Sequence, residues 1–490
     1  MIRSIIAFLL TYHGVVFGGV SVFEATDSNA YEVVDRLESY GCAYSTLRLL
    51  RPQTHEDLRS AVYAEGAEMC QAPEWLLRER QRLFIPSGPS FFEAQSLSMA
   101  PEEIISLQGI EANVTPLFPF RQGRPSVGGT NLYLELTFNA DSGQSPYGLG
   151  ISVTPAFAAL LQDYEAFSSD FYLQQGYVKA GYGWAELLVG KMNLQFGDAK
   201  HGALMLSRAT KPMEMIKFTL RPHIMGGPLH ALGPFSFETF VARLGPSQFV
   251  ADAKLWGVTF GLRPAAEFET ALLILNQFSG EGAADLEISD FLRMLIFSGS
   301  DDLDLKRHRG LTWHLGFWLF QKRLKWYTQF YFEKLGEIGT WFNDDVSALM
   351  GFWLPRLGEL DLRLEVVNIV PTAYQHPFWK QGFTHQGTAL GHPLGPDARA
   401  AYLDVGFPFI EGFMKPELNL GFEQRLLNPQ AGQATEQRIT VGANLHRRWT
   451  STSMGVAGNF ATLINPLYLP GQTNTLFSVY AWLKYELTSL

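Results

Sequence analysis

Residues 374–402 read YQHPFWKQGFTHQGTALGHPLGPDARAAY, a run in which sugar-recognising side chains crowd among glycines and prolines. Tyr374 and Trp379 carry aromatic faces of the kind that stack on a sugar ring. His376, His385, Gln386 and His392 supply hydrogen-bonding groups for hydroxyls. Lys380, Asp397 and Arg399 supply charge, and the two cations match a uronic-acid carboxylate. Together they form a candidate binding set for an acidic glycan. The same composition also suits a structural role, an inward-folded loop that blocks a lumen, with Asp397 and Arg399 paired to each other. One loop can do both.

Other chemistries fit less well. His376, His385 and His392 have no recognised ligand spacing and no supporting cysteine, so no metal is expected, and no cofactor either. The chain lacks a G-x-S-x-G elbow, an H-E-x-x-H pair, a phosphate-binding loop and a dinucleotide fingerprint, and it reads as non-enzymatic. Its net charge of −10 argues against a nucleic-acid partner, which demands clustered Lys and Arg. Two local basic runs, DLDLKRHRG (302–310) and NLHRRW (444–449), are candidates for lipopolysaccharide phosphates or anionic glycan, or are simply solvated loop ends.

What must position such a loop is legible in the bulk numbers. Of 490 residues, 47% are hydrophobic, 13% aromatic and only 18% charged, with a mean hydropathy of zero. Soluble domains carry roughly 25% charge. Past the N-terminus there is no uncharged apolar run of the ~20 residues that a spanning helix needs. From residue 112 onward the hydrophobic period is two. NLYLELTFN sets Leu132, Leu134, Leu136 and Phe138 against Asn131, Tyr133, Glu135 and Thr137. LDLRLEVVN sets Leu360, Leu362, Leu364 and Val366 against Asp361, Arg363 and Glu365, and ELNLGFEQRL and LFSVYAWLKYEL repeat the scheme. One bulky apolar row and one polar row, sustained to the C-terminus, predict a transmembrane antiparallel β-barrel of about 18 strands at roughly 20 residues per strand and connection. Lumen-facing Lys325, Glu333, Asp361, Arg363 and Glu365 suit either a packed interior or the lining of a porin or substrate-selective channel, which is the alternative function.

The N-terminal part follows a different pattern. Residues 1–21, with Arg3 before an apolar core, read as a secretory signal peptide. Residues 26–111 read as a small helical bundle. YEVVDRLESYG spaces Val33, Val34, Leu37 and Tyr40 at three and four residues before Gly41, and THEDLRSAVYAEG, APEWLLRERQRLF and PEEIISLQG (101–109) carry helix-start signals. Residues 112–490 are then the barrel. Cys42 and Cys70 either bridge two helices or remain free thiols.

Three separated segments resemble the Wzi family of outer-membrane capsule assembly proteins. Residues 374–402 match its G-H-x-L/I-G-x-D region, residues 176–221 (GYVKAGYGWAELL…LMLSRATKP) look like its strand, tight glycine turn and "LLLS…P" continuation, and RLESYG…RPQTHEDL is similar to its opening helices. The chain departs from the pattern at Gly197–Asp198, where many members carry Trp–Gly. The resemblance implies an outer-membrane barrel with a periplasmic helical bundle. It implies a lectin-like role, holding or organising capsular or other surface polysaccharide at the cell surface. A monomer in contact with outer-membrane lipid and lipopolysaccharide is expected.

Overall fold

The computed structural model describes residues 28–43, 50–51, 58, 61–63, 72–73, 76–78, 80–81, 93–106, 129–141, 147–162, 166–222, 232–246, 248–283, 307–333, 346–357, 360–407, 415–448 and 452–485. The expected signal peptide and Cys70 lie outside the described residues.

Helix α1 (Ser28–Ser39) and the two-residue strand β1 (Leu50–Arg51) come first. The barrel begins with β2 (Glu93–Ser106), β3 (Gly129–Asp141), β4 (Tyr147–Gln162), β5 (Ala166–Tyr182) and β6 (Ala185–Met192). After the short β7 (Gln195–Phe196) it continues with β8 (Met213–Leu220), β9 (Phe235–Arg243), β10 (Lys254–Ala265) and β11 (Phe268–Phe278). Next come β12 (Arg307–Leu319), β13 (Leu324–Phe332), β14 (Val346–Leu357) and β15 (Leu360–Ile369). A small hairpin of β16 (Thr384–His385) and β17 (Thr388–Ala389) precedes the last five barrel strands. These are β18 (Ala398–Gly406), β19 (Lys415–Arg425), β20 (Glu436–Arg448), β21 (Thr452–Ile464) and β22 (Thr473–Tyr485). Among the described residues eighteen strands close into one antiparallel barrel, sealed where β2 pairs with both β3 and β22.

The strand period sorts the side chains as the sequence predicts. Ile151, Val153, Ile216, Val366, Leu420, Val441 and Phe460 point outward and are exposed. Their inward neighbours include buried Lys179, Lys325, Gln329, Glu365 and Arg438. A barrel that is apolar outside and charged inside has its low-cost environment in lipid. Phe268, Phe317 and Trp326 stack across β11, β12 and β13, with ring centroids 4.7 and 5.0 Å apart, beside the tight turns at residues 266–267 and 320–323. That is the aromatic girdle of one membrane interface. Connections 193–212, 244–253 and 370–397 gather at the opposite, long-loop end.

One boundary moves. PEEIISLQG, expected to open a fourth helix, is strand over residues 101–106, so the barrel begins by residue 93 rather than 112. Closure needs a strand between β3 and β22, and tertiary pairing overrides the helix-start signal of a Pro followed by two Glu. The β22 ladder skips Ala100 and Pro101, as a residue without an N–H requires.

The predicted amphipathic helix is present. Tyr31, Val33, Val34 and Leu37 of α1 pack with Leu58, Ala61, Val62 and Leu76 in a small separate core. Cys42 beside it is disulfide-bonded. The polar side of α1 faces the barrel's short-turn end, where Arg36 pairs with Asp361 and donates to Pro355 O at 3.1 Å.

From α1 a circuit of buried charges runs through the barrel and back. Asp35 lies 3.8 Å from Arg51, Arg51 3.0 Å from Asp198, and Asp198 3.0 Å from Lys325. Lys325 lies 3.2 Å from Glu269, Glu269 3.4 Å from Arg263, and Arg263 pairs with Glu38 of α1. Removing one member of a buried pair leaves its partner's charge uncompensated, at about 3–5 kcal/mol. Lys325→Met, which strips both Asp198 and Glu269 of a partner, is therefore expected to lower the unfolding temperature in detergent sharply. Asp35→Asn, at the longest contact of the circuit, should lower it far less. Heat-modifiable mobility on a gel reads both variants.

Candidate functional site

Two connections do not stay at the rim. Residues 193–212, between β6 and β8, enter the barrel and meet inward side chains in the middle of the opposite strands. Gln329 of β13 donates from Nε2 to Phe196 O at 2.9 Å and accepts from Leu204 N at 2.9 Å. Glu365 of β15 accepts from the N–H groups of Lys200 and His201 at 2.7 and 3.0 Å, and Tyr327 donates its hydroxyl to the same carboxylate. β7 within this insert pairs with β1, so the N-terminal unit reaches the same interior. Gly197 has φ +83°, and a Cβ there would collide with the Gln329 amide, so the turn that delivers Asp198 needs glycine.

Residues 370–397 form the second insert, and it rests on the first. Met205 and Gly391 form a β-bridge, Ser207 N donates to Leu390 O at 2.8 Å, and Tyr374 donates its hydroxyl to Leu204 O at 2.6 Å. Tyr374 N also donates to Glu333 at 2.5 Å. Met205, Leu204, Trp379, Phe383, Leu390 and Leu394 share one buried apolar core with inward Tyr327, Tyr331 and Trp353. The two inserts fill the barrel interior bounded by β6 and by β8 through β18.

The structure divides the sequence-predicted binding set. Tyr374, Trp379, His385, His392 and Asp397 are buried. Tyr374 makes the anchoring contacts above, Trp379 packs in the core, and His385 Nδ1 meets Leu244 O at 3.0 Å. Asp397 is not paired with Arg399. It accepts from the backbone N–H and the side-chain amide of Asn428 at 3.1 and 2.9 Å, while Arg399 Nε donates to Gln424 at 2.5 Å. Lys380, Gln386 and Arg399 are exposed and His376 is half-buried. The Lys380 ammonium lies 5.0 Å from the centroid of exposed Phe249, and the neighbouring Gln381 accepts from Phe249 N at 2.7 Å.

Sequence reasoning missed this second loop (244–253) as a neighbour, and it missed Gln424 and Asn428. It named Glu333 only as a lumen charge and Asp198 only as a departure from the family pattern, and gave neither of them, nor Gln329, an anchoring role. The polar residue directly after Gly197 was the available signal for Asp198.

Among the described residues, one buried interior cluster could hold a cation, and a lysine already occupies it. Asp198, Glu269 and His314 lie close enough together to hold a cation, but the Lys325 ammonium already sits 3.0 and 3.2 Å from the two carboxylates. Burial resists charge on Asp198, yet Lys325, His314 and Arg51 together hold its carboxyl well below the usual range. His201 stacks on Tyr402 at 4.2 Å, and Asp404, 2.8 Å away, outweighs burial and raises the imidazole above its ordinary value.

The profile of the family described as capsule assembly protein Wzi matches residues 105–464. Among solved structures, the barrel is similar to Wzi of Escherichia coli, an outer membrane protein involved in group 1 capsule assembly and a carbohydrate binding β-barrel. The identity is 15%, covering 96% of this chain and 100% of that one, with a TM-score of 0.72. Pseudomonas aeruginosa OccK5 (OpdH) is 12% identical over 81% of this chain and 99% of that one, with a TM-score of 0.47. P. aeruginosa OprD is 8% identical over 81% and 96%, with a TM-score of 0.46. No curated protein sequence matches.

Burial pushes His392 down to about 3, and its Nδ1 accepts the N–H of Leu394 at 3.3 Å, a bond that only the unprotonated nitrogen can take. The unfolded histidine takes up its proton at about 6.5. Stability is therefore fully present above pH ~6.5 and is lost as the pH falls from there toward 3, because only the unfolded chain is protonated in that window. His392→Gln should melt at a temperature that changes less between pH 7 and pH 4 than the wild type does. Equal pH dependence of the two would contradict a neutral, buried His392.

Proposed function

Because this chain belongs to the capsule assembly protein Wzi family, we propose that it is an outer-membrane, lectin-like protein that attaches or organises capsular or other exopolysaccharide at the cell surface. The observation that carries the reading is the packed interior on the β6–β18 side: the 370–397 loop is seated on the first insert, while Lys380, Gln381 and Arg399 stay exposed. His376, Lys380, Gln381 and Arg399 then offer two cations, an amide and an imidazole to a polymer lying across the long-loop end, with Phe249 as an apolar face. Such groups suit an acidic or hydroxyl-rich glycan. Their exposure lets a long chain bind without entering the barrel.

In this orientation the long-loop end faces outward and α1, latched under the short turns, lies in the periplasm. In this reading the protein acts without catalysis and as a monomer, and a barrel closed by one chain needs no partner strand to complete its sheet. The channel alternative has the interior packing against it, because a solute path on the β6–β18 side would have to displace buried Trp379, Phe383 and Leu394.

The test is the fraction of polysaccharide that stays cell-attached. A deletion strain should make the same total amount but shed it into the medium. Return of the Lys380→Ala/Arg399→Ala double variant should restore retention less completely than return of the wild type. Unchanged retention in the deletion strain would end the attachment reading.

A further inference from the structure

The barrel wall has a step at its long-loop end. β5 continues to Ala166, but β6 pairs only with Gly176–Tyr182. Among the described residues, no strand pairs with 166–175 on that side. Phe171 and Leu173 of this upper edge are 74% and 40% exposed. At the foot of the step Lys191 ends the outward row of β6, its ammonium bonded to Leu173 O at 2.7 Å.

From Lys191 a charged row crosses four adjacent strands. Lys191 is opposite Glu214, Glu214 opposite Arg243, and Arg243 opposite Lys254. Lys211 lies two residues before Met213, which is opposite Met192 at the end of β6, and its charge acts on the Lys191 ammonium. Asp252 accepts from Arg243 at 2.7 Å, with side chains 56% and 41% exposed. Lys191, Lys211, Arg243 and Lys254 thus face two carboxylates, a local excess of positive charge on a chain whose total is −10. Below the row, the next outward residue of each strand is Val189, Ile216, Val241 and Trp256, the start of the lipid-facing belt.

A cationic line directly on top of an apolar wall, flanked by a raised apolar edge, has the polarity of one amphiphile. We propose that this ledge binds the phosphate headgroup of an anionic membrane lipid, the phosphate seated on Lys191 and Lys211 with Arg243 and Lys254 beside it. Its acyl chains lie along the belt below, and Leu173 and Phe171 flank the headgroup. Clustering lets the phosphate take several charge-assisted donors at once. The site lies on the outer wall and shares no residue with the proposed glycan surface, so either can fail without the other.

The test uses the full-length protein in neutral detergent and reads binding by native mass spectrometry. The probes are lipid A carrying two phosphates, the same lipid with its phosphates removed, and inorganic phosphate. The diphosphorylated lipid should bind, and Lys191→Gln/Lys211→Gln should weaken it about tenfold or more. Arg323→Gln, in the exposed 320–323 turn at the opposite rim, should leave binding unchanged. Equal binding of the dephosphorylated lipid, which needs no variant and so no refolding, would overturn the proposal. So would undiminished binding by the double variant, an equal loss in Arg323→Gln, or inorganic phosphate binding as tightly as the lipid.

Discussion

The contact between Lys325 and Asp198 holds the molecule together as one object. Lys325 belongs to the barrel wall, Asp198 to the first insert, and the same carboxylate also receives Arg51 from the N-terminal unit at 3.0 Å. All three are almost wholly withdrawn from water. Isolated charges in such surroundings carry a desolvation cost of several kcal/mol each, so none of the three elements can leave without exposing or orphaning the others. The circuit extends the constraint to α1 at two points one turn apart, Asp35 and Glu38.

The rest of the interior follows from that anchorage. With the 193–212 insert fixed, Leu204, Met205 and Ser207 provide the strip on which the 370–397 loop is laid, and Tyr374 pins it from the other side. Gly391 has to be glycine because a Cβ there would stand 2.5 Å from Leu204 O and 2.7 Å from the Tyr374 ring. The aromatic and imidazole side chains that look most like sugar contacts in the sequence are spent on this seating. The flexible cations and amides, which cost little to leave in water, remain at the surface.

The barrel was legible because its physics is repetitive. Leu418, Leu420 and Phe422 against Glu417, Asn419 and Glu423 states a two-sided strand, and lipid outside with charge inside has one good closed solution. Helix α1 was legible for the same reason at a different period. Residues 101–106 were misread because Pro and two Glu are local helix signals, whereas their strand pairing depends on β3 and β22, far away in sequence. The candidate site was legible only as composition. Nothing local in GHPLGPDARAAY says that His392 turns inward and Arg399 outward, or that Asp397 prefers Asn428 to Arg399, since His392 packs against the 193–212 insert nearly 200 residues earlier and Asp397 meets Asn428 beyond the next strand.

A filled interior is the claim on which the surface-binding account stands, and its most direct measurement is the conductance of the purified full-length protein in a planar lipid bilayer. The account predicts membranes that stay electrically silent apart from rare, brief events. Stable, stepwise currents of an open eighteen-stranded pore would contradict it. In that case the two inserts would have to leave the lumen and the channel reading would replace the lectin.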